Sequence, residues 1–137
     1  MSSALIVVAA IVIIILLIVG VGLLQRRPRA LKKSYFEKHW KELQTLCKSK
    51  NTWPLAVINA DKLLDEALRK KRFKGKAMGE RLVAAQRILT DNDSVWYAHK
   101  LRNQIVHEEN VKLKQKDVKE ALVGFRQALK DLGALEK

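Results

Sequence analysis

The stretch Trp96-Tyr97-Ala98-His99-Lys100-Leu101-Arg102-Asn103-Gln104-Ile105-Val106-His107-Glu108 holds two of the chain's three histidines beside an arginine and an amide. On a helix turning about 100° per residue, His99, Asn103 and His107 are successive i, i+4 neighbours, and Arg102 lies beside Asn103 on the adjoining stripe. Leu101 and Ile105 then point the other way, toward a core. Guanidinium, amide and imidazole would share one side of the helix, within reach of a common ligand. That trio suits a phosphodiester. Imidazole, which titrates near neutral pH, can take a proton from a ribose 2'-hydroxyl or give one to the leaving oxygen, and guanidinium can hold phosphorane charge bidentately. No metal is needed for this chemistry. Polar residues at i, i+4 also decorate solvated helices, and Arg102 could equally pair with an acid such as Asp61 or Asp65. An Asn directly after the Arg makes the spacing more selective than an Arg and a His alone.

The elements that must position these residues are all helical. From residue 31 to 135 the apolar positions recur at three and four residue spacing, never in strict alternation. Leu31, Tyr35, Phe36, Trp40, Leu43 and Leu46 line a first helix expected to run to about Lys50. Asn51 and Thr52 offer capping oxygens, and Pro54 suits the first turn of a second helix. Its stripe is Val57, Ala60, Leu64, Ala67 and Leu68, and it ends in a basic run before Gly75. A turn bounded by Gly75 and Gly79 leads to a third helix with Met78, Leu82, Ala85 and Leu89 inward. Asp93 or Ser94 is expected to cap a fourth, from about Val95 to Glu109, and Val118, Leu122, Phe125, Leu129 and Leu132 mark the last.

Ahead of this domain, residues 4 to 24 carry no polar side chain. As a helix they would be roughly 31 Å long, the thickness of a hydrocarbon core. A cleaved signal peptide would show a basic start and a shorter apolar run, whereas only Met1-Ser2-Ser3 precedes this one. An uncleaved transmembrane anchor is the expectation. Arg26, Arg27, Arg29, Lys32 and Lys33 follow at once, and basic residues close to a span stay on the cytoplasmic side. The expected placement is single-pass in a cell (inner) membrane, N-terminus outside and C-terminal domain cytosolic. Cys47 is the sole cysteine of the 137 residues, which excludes an intrachain disulfide scaffold and suits a reducing compartment.

The chain is basic, with 27 Lys and Arg against 14 Asp and Glu. Residues 26 to 76 hold most of the excess, concentrated in Arg69, Lys70, Lys71, Arg72, Lys74 and Lys76. Such a surface attracts anionic lipid at about 1 kcal/mol per basic residue near the bilayer, and the same field attracts RNA phosphates. A helix C-terminus also favours cations, but its dipole accounts for only part of so dense a run.

Arg102-Asn103-x-x-x-His107, on the fourth helix of an all-helical bundle, resembles the Arg, polar residue and His signature of the HEPN superfamily (higher eukaryotes and prokaryotes nucleotide-binding domains). Ala60-Asp61-Lys62-Leu63-Leu64-Asp65, Gly79-Glu80-Arg81-Leu82 and Trp96-x-x-His99 are similar to stretches of bacterial HEPN-like proteins with an N-terminal membrane anchor. The resemblance covers about residues 35 to 135. It implies a metal-independent endoribonuclease, or a nucleotide-binding or interaction module, that dimerises so that two such helices build one cleft. In the nuclease, cleavage would leave a 2',3'-cyclic phosphate. His107 would be the general acid/base, Arg102 the phosphate stabiliser and Asn103 the orienting residue; His99 has no fixed role in the family and here could support the cleft.

Other motifs weigh less. Asp61 and Asp65, at i, i+4, fit salt-bridge partners better than an acid/base pair, Asp65 with Arg69 for instance. His39 falls at the boundary of the first helix. Trp40, Trp53 and Trp96 show no regular spacing of a base-stacking platform. There is no Cys/His metal spacing, no phosphate-cradling glycine loop and no Gly-x-Ser-x-Gly elbow, so no metal or cofactor is expected. The sequence therefore predicts an all-α chain: a transmembrane anchor over 1–24, a basic juxtamembrane segment over 25–34, and a four- to five-helix bundle over 35–137. The expected partners are RNA or a nucleotide, the membrane, and a second copy of the chain. The alternative is a non-catalytic membrane-tethered adapter for a protein partner or anionic lipid.

Overall fold

The computed structural model describes residues 2–137. It is all-helical: α1 (Ser3–Gln25), α2 (Lys33–Leu46), a short 3-10 turn (Lys50–Thr52), α3 (Trp53–Lys70), α4 (Met78–Ala85), α5 (Asn92–His107) and α6 (Gln115–Asp131). Helix α1 is long and apolar enough to cross a membrane, and none of its side chains is buried. The other five form a bundle around α3, which packs against α2, α4, α5 and α6.

The apolar stripes meet in one core. Phe36, Val57, Leu64, Leu68, Leu82, Val95, Phe125 and Leu129 are fully buried. Leu89 is buried too, although α4 stops at Ala85 and Leu89 lies in the turn that follows. Leu101 faces the core as expected, while Ile105 and Leu122 are half-buried at its margin.

Helix ends differ from expectation for identifiable reasons. Helix α2 stops at Leu46, because the next residues turn back to satisfy its last carbonyls. The Thr52 hydroxyl donates to Leu46 O, and Trp53 Nε1 donates to Cys47 O at 2.9 Å. Thr52 thus closes α2 and makes no side-chain cap for α3. Helix α3 ends with Arg72 in the left-handed region at φ 64°, and Phe73 N–H donates back to Leu68 O at 3.1 Å. Helix α5 starts earlier than the sequence predicts. Its cap is Asp91, whose carboxylate accepts Ser94 N–H at 3.0 Å and Ser94 O–H at 2.7 Å. Those bonds hold the Asp91 carboxyl below its ordinary range. The helix ends at His107, and Asn110 takes the left-handed conformation just beyond.

Helices α5 and α6 approach closely at Gly124. A Cβ built there would lie 2.8 Å from the carbonyl carbon of Ser94 and 3.2 Å from Val95 N, both backbone atoms that cannot swing aside. Across the same pair, Asp131 of α6 accepts from the Thr90 backbone N–H at 2.8 Å and from its hydroxyl at 2.9 Å, fixing the entry to α5.

Gly124→Ala is expected to destabilise the bundle by about 1–3 kcal/mol, the overpacking cost exceeding the gain of about 1 kcal/mol in helix propensity. Urea denaturation measures it. For Asp91→Ala the sign follows from the lowered carboxyl. Its contribution is present above the unfolded carboxyl range and lost as pH falls through the folded one. The melting temperature of the variant should lie below wild type at pH 7, and the gap should close by pH 2.

Candidate functional site

Asp61 stands on the inward stripe of α3 and is 3% exposed, as His99 of α5 is 8% exposed. An ionised carboxylate there must be paired. His99 Nδ1 lies 2.8 Å from Asp61 Oδ1, and Arg102 Nε lies 3.4 Å from Asp61 Oδ2, an ion pair outside hydrogen-bond geometry. Arg102 Nη1 donates to Asn103 Oδ1 at 2.9 Å, and Asn103 Nδ2 donates to His99 Nε2 at 3.4 Å.

The directions of these bonds form a single chain of donors. Guanidinium can only donate, so the amide oxygen of Asn103 faces Arg102 and its NH2 faces His99. Nε2 of His99 then accepts, which leaves the ring proton on Nδ1 for Asp61. Asp61 thus fixes the tautomer of His99 and, through Asn103, the direction of Arg102.

Asp65, one turn further along α3, is held by a second arginine. Arg81 of α4, 8% exposed, donates from Nε and Nη2 to its two oxygens at 2.7 and 3.0 Å, and from Nη1 to Gly75 O at 2.7 Å. Arg69 approaches the same carboxylate at 3.4 Å. Both carboxylates of the Asp61/Asp65 pair are therefore held in ion pairs. The sequence singled out neither Arg81 nor its role. The signal was a charged residue between Met78, Leu82 and Ala85 on the inward stripe of α4, with an acid in the same situation on α3.

Asp61, Asp65, Arg69, His99, Arg102 and Asn103 line a cleft of about 320 Å³ closed on one side by the turn before α4. Compared with family models, curated proteins and solved structures, the chain matches none.

The expected trio is only partly assembled. The cleft gathers Arg102, Asn103 and His99, but not His107. His107 lies in the last turn of α5, exposed, without a hydrogen bond among the described residues and not among the residues that line the cleft. Within one chain, His99 is the imidazole beside Arg102.

The basic run divides in two. Arg69 is committed to Asp65, and Lys70 pairs with Glu66 at 3.1 Å while lying 4.7 Å above the Tyr35 ring. Lys71, Arg72, Lys74 and Lys76 make no ion pair among the described residues, and Arg72, Lys74 and Lys76 are exposed. They sit on the turn that leads into Ala77, Met78 and Gly79, the cleft's own wall. Elsewhere, His39 is half-buried against Glu42 at 3.1 Å, and the Tyr35 hydroxyl donates to Glu66 at 2.9 Å, which raises the Tyr35 pKa.

Asp61→Ala should cost about 3 kcal/mol or more in urea denaturation, since it strands the buried imidazole of His99 together with the buried Nε of Arg102. Arg81→Met should behave similarly by stranding Asp65. His107→Ala should stay within about 0.5 kcal/mol of wild type, as expected for an exposed side chain without partners.

Proposed function

We propose that this chain is a membrane-anchored HEPN-like domain that binds RNA or a nucleotide through its phosphate at the mouth of the α3–α5 cleft. The observation that carries the reading is the guanidinium of Arg102, steadied by Asn103 and Asp61 at a cleft whose neighbouring turn bears four cations free of ion pairs. Asp61 and Asp65 are already matched by Arg102, Arg81 and Arg69, so the turn's positive charge is available to a ligand. In this reading α1 spans the inner membrane, and the basic segment after it keeps the bundle on the cytosolic side. Tethering confines copies to one plane and raises their effective concentration for pairing.

Cleavage in this reading belongs to a homodimer. One copy keeps His107 away from Arg102, and a second α5 packed against the first would bring an exposed His107 toward the other's guanidinium. His107 then takes the proton of the ribose 2'-hydroxyl as its oxygen attacks phosphorus, and the imidazolium so formed gives that proton to the 5'-oxygen as the P–O5' bond breaks, leaving a 2',3'-cyclic phosphate. Arg102 holds the charge that develops on the phosphorane, and Asn103 keeps Arg102 in place.

One observation favours the second reading, a non-catalytic adapter for a protein partner or anionic lipid. Asp61, His99, Asn103 and Arg102 satisfy one another without a ligand. An adapter would use these residues as architecture and present apolar side chains such as Val83, Ile88 and Val106, which are exposed.

The deciding experiment measures RNA binding and cleavage by the full chain in lipid nanodiscs, in EDTA. Wild type should bind with a steep salt dependence, and replacing Lys71, Arg72, Lys74 and Lys76 by Ala should flatten the log–log slope by up to about 3. Arg102→Ala and His107→Ala should each abolish cleavage, the latter without loss of stability. No RNA affinity in wild type would move the assignment to the adapter.

A further inference from the structure

Away from the cleft, α2 and α6 leave an open trough between them. Trp40, Trp53, Leu122, Val123, Lys119 and Arg126 are among the residues that line a cavity of about 460 Å³ there. Trp53 is also a wall of a second cavity of about 580 Å³, where it meets Lys50, Pro54, Val111 and Lys112. The indole is fixed by its bond to Cys47 O, so the two chambers share one rigid aromatic wall.

The charged groups of this trough are of one sign, beside the neutral amides of Gln44, Asn51 and Gln115. Lys119 and Arg126 rim the first chamber, Lys50 and Lys112 the second, and no carboxylate lines either. The orphaned buried atom of its walls, Trp40 Nε1, is a donor. Burial raises the pKa of the Cys47 thiol, so this residue adds no negative charge near neutral pH. Val123 is 59% exposed, an uncovered apolar side chain between Lys119 and Arg126 on α6. A trough with aromatic and aliphatic walls, cations in both chambers and no carboxylate complements an amphiphile with a negative head.

The position of the trough supplies the source. Residues 26–32 alone separate α1 from α2, and such a linker spans at most about 25 Å. With α1 in a bilayer, the start of α2 stays within that distance of lipid headgroups, and Trp40 lies two turns further along the helix. We propose that the trough binds an anionic phospholipid, its phosphate at the Lys119–Arg126 rim and one acyl chain along Trp53, Leu122 and Val123. The proposal rests on the reading of α1 as an anchor. It is independent of the α3–α5 cleft.

The test uses the tryptophans, all of which lie outside α1. The full chain carrying Trp96→Phe is reconstituted in nanodiscs whose phosphatidylglycerol or phosphatidylcholine bears brominated acyl chains, which quench indole fluorescence on contact. Brominated phosphatidylglycerol should quench Trp40 and Trp53, brominated phosphatidylcholine should not, and Lys119→Ala/Arg126→Ala should lose the quenching with unchanged helical circular dichroism. Equal quenching by both lipids, or quenching that survives the double substitution, overturns the proposal. Absence of quenching in protein that co-elutes with the discs overturns it alone, and if that protein is dimeric the trough is assigned to a second copy. Failure to co-elute overturns the anchor reading and the lipid proposal with it.

Discussion

A carboxylate sealed inside a helical bundle has to find its counter-charges there, and Asp61 is such a group. It sits on the face of α3 that also carries Val57, Ala60 and Leu64, so burying the stripe buries the charge. The counter-charge, Arg102, and the imidazole N–H of His99 both come from α5, and they set how that helix lies against α3. His99 and Arg102 are three residues apart, close enough on one face to take the two oxygens of a single carboxylate. Asn103 closes the ring of contacts. A slip of α5 by one turn would leave the charge unmatched, at a cost of several kcal/mol. Gly124 adds the complementary constraint from the other side, letting the backbone of α6 approach the start of α5.

Arg81 and Asp65 repeat the device between α3 and α4. Ion pairs to Asp61, Asp65 and Glu66 sort the positive charge of this region into a part spent on architecture and a part left over. Arg81, Arg69 and Lys70 belong to the first; Lys71, Arg72, Lys74 and Lys76 belong to the second. Arg102 lies between them, buried at Nε and bonded to Asn103, yet lining an open cleft. This division explains how a bundle that holds the carboxylates of Asp61 and Asp65 in ion pairs still keeps uncommitted cations beside the cleft.

The fold was legible because each helix carries a clean apolar stripe: Met78, Leu82, Ala85 and Leu89 identify an inward face whether or not the last belongs to the helix. Helix ends were less so. Thr52 reads as a cap for α3 by composition, but its hydroxyl is recruited by the carbonyl end of α2, a choice made by the tertiary turn. At the site, helical spacing placed His99, Asn103 and Arg102 on one side of α5 correctly. It treated His107 as their equal because periodicity on one helix does not say which of its turns a cleft covers. Asp61 and Arg81 were visible as charges on apolar stripes, and pairing them with their partners needed the crossing of the helices.

The account turns on Arg102 being steadied by Asp61 and Asn103 while still meeting a ligand at the cleft. Side-chain nitrogen resonances of the full chain in nanodiscs test this most directly, recorded for Arg102, Asn103 and His99 while a short single-stranded RNA is added. The account predicts that His99 carries its proton on Nδ1 throughout, and that the Arg102 and Asn103 signals shift together as RNA binds. Binding that shifts neither of them, or an imidazole protonated on Nε2 alone, would contradict it.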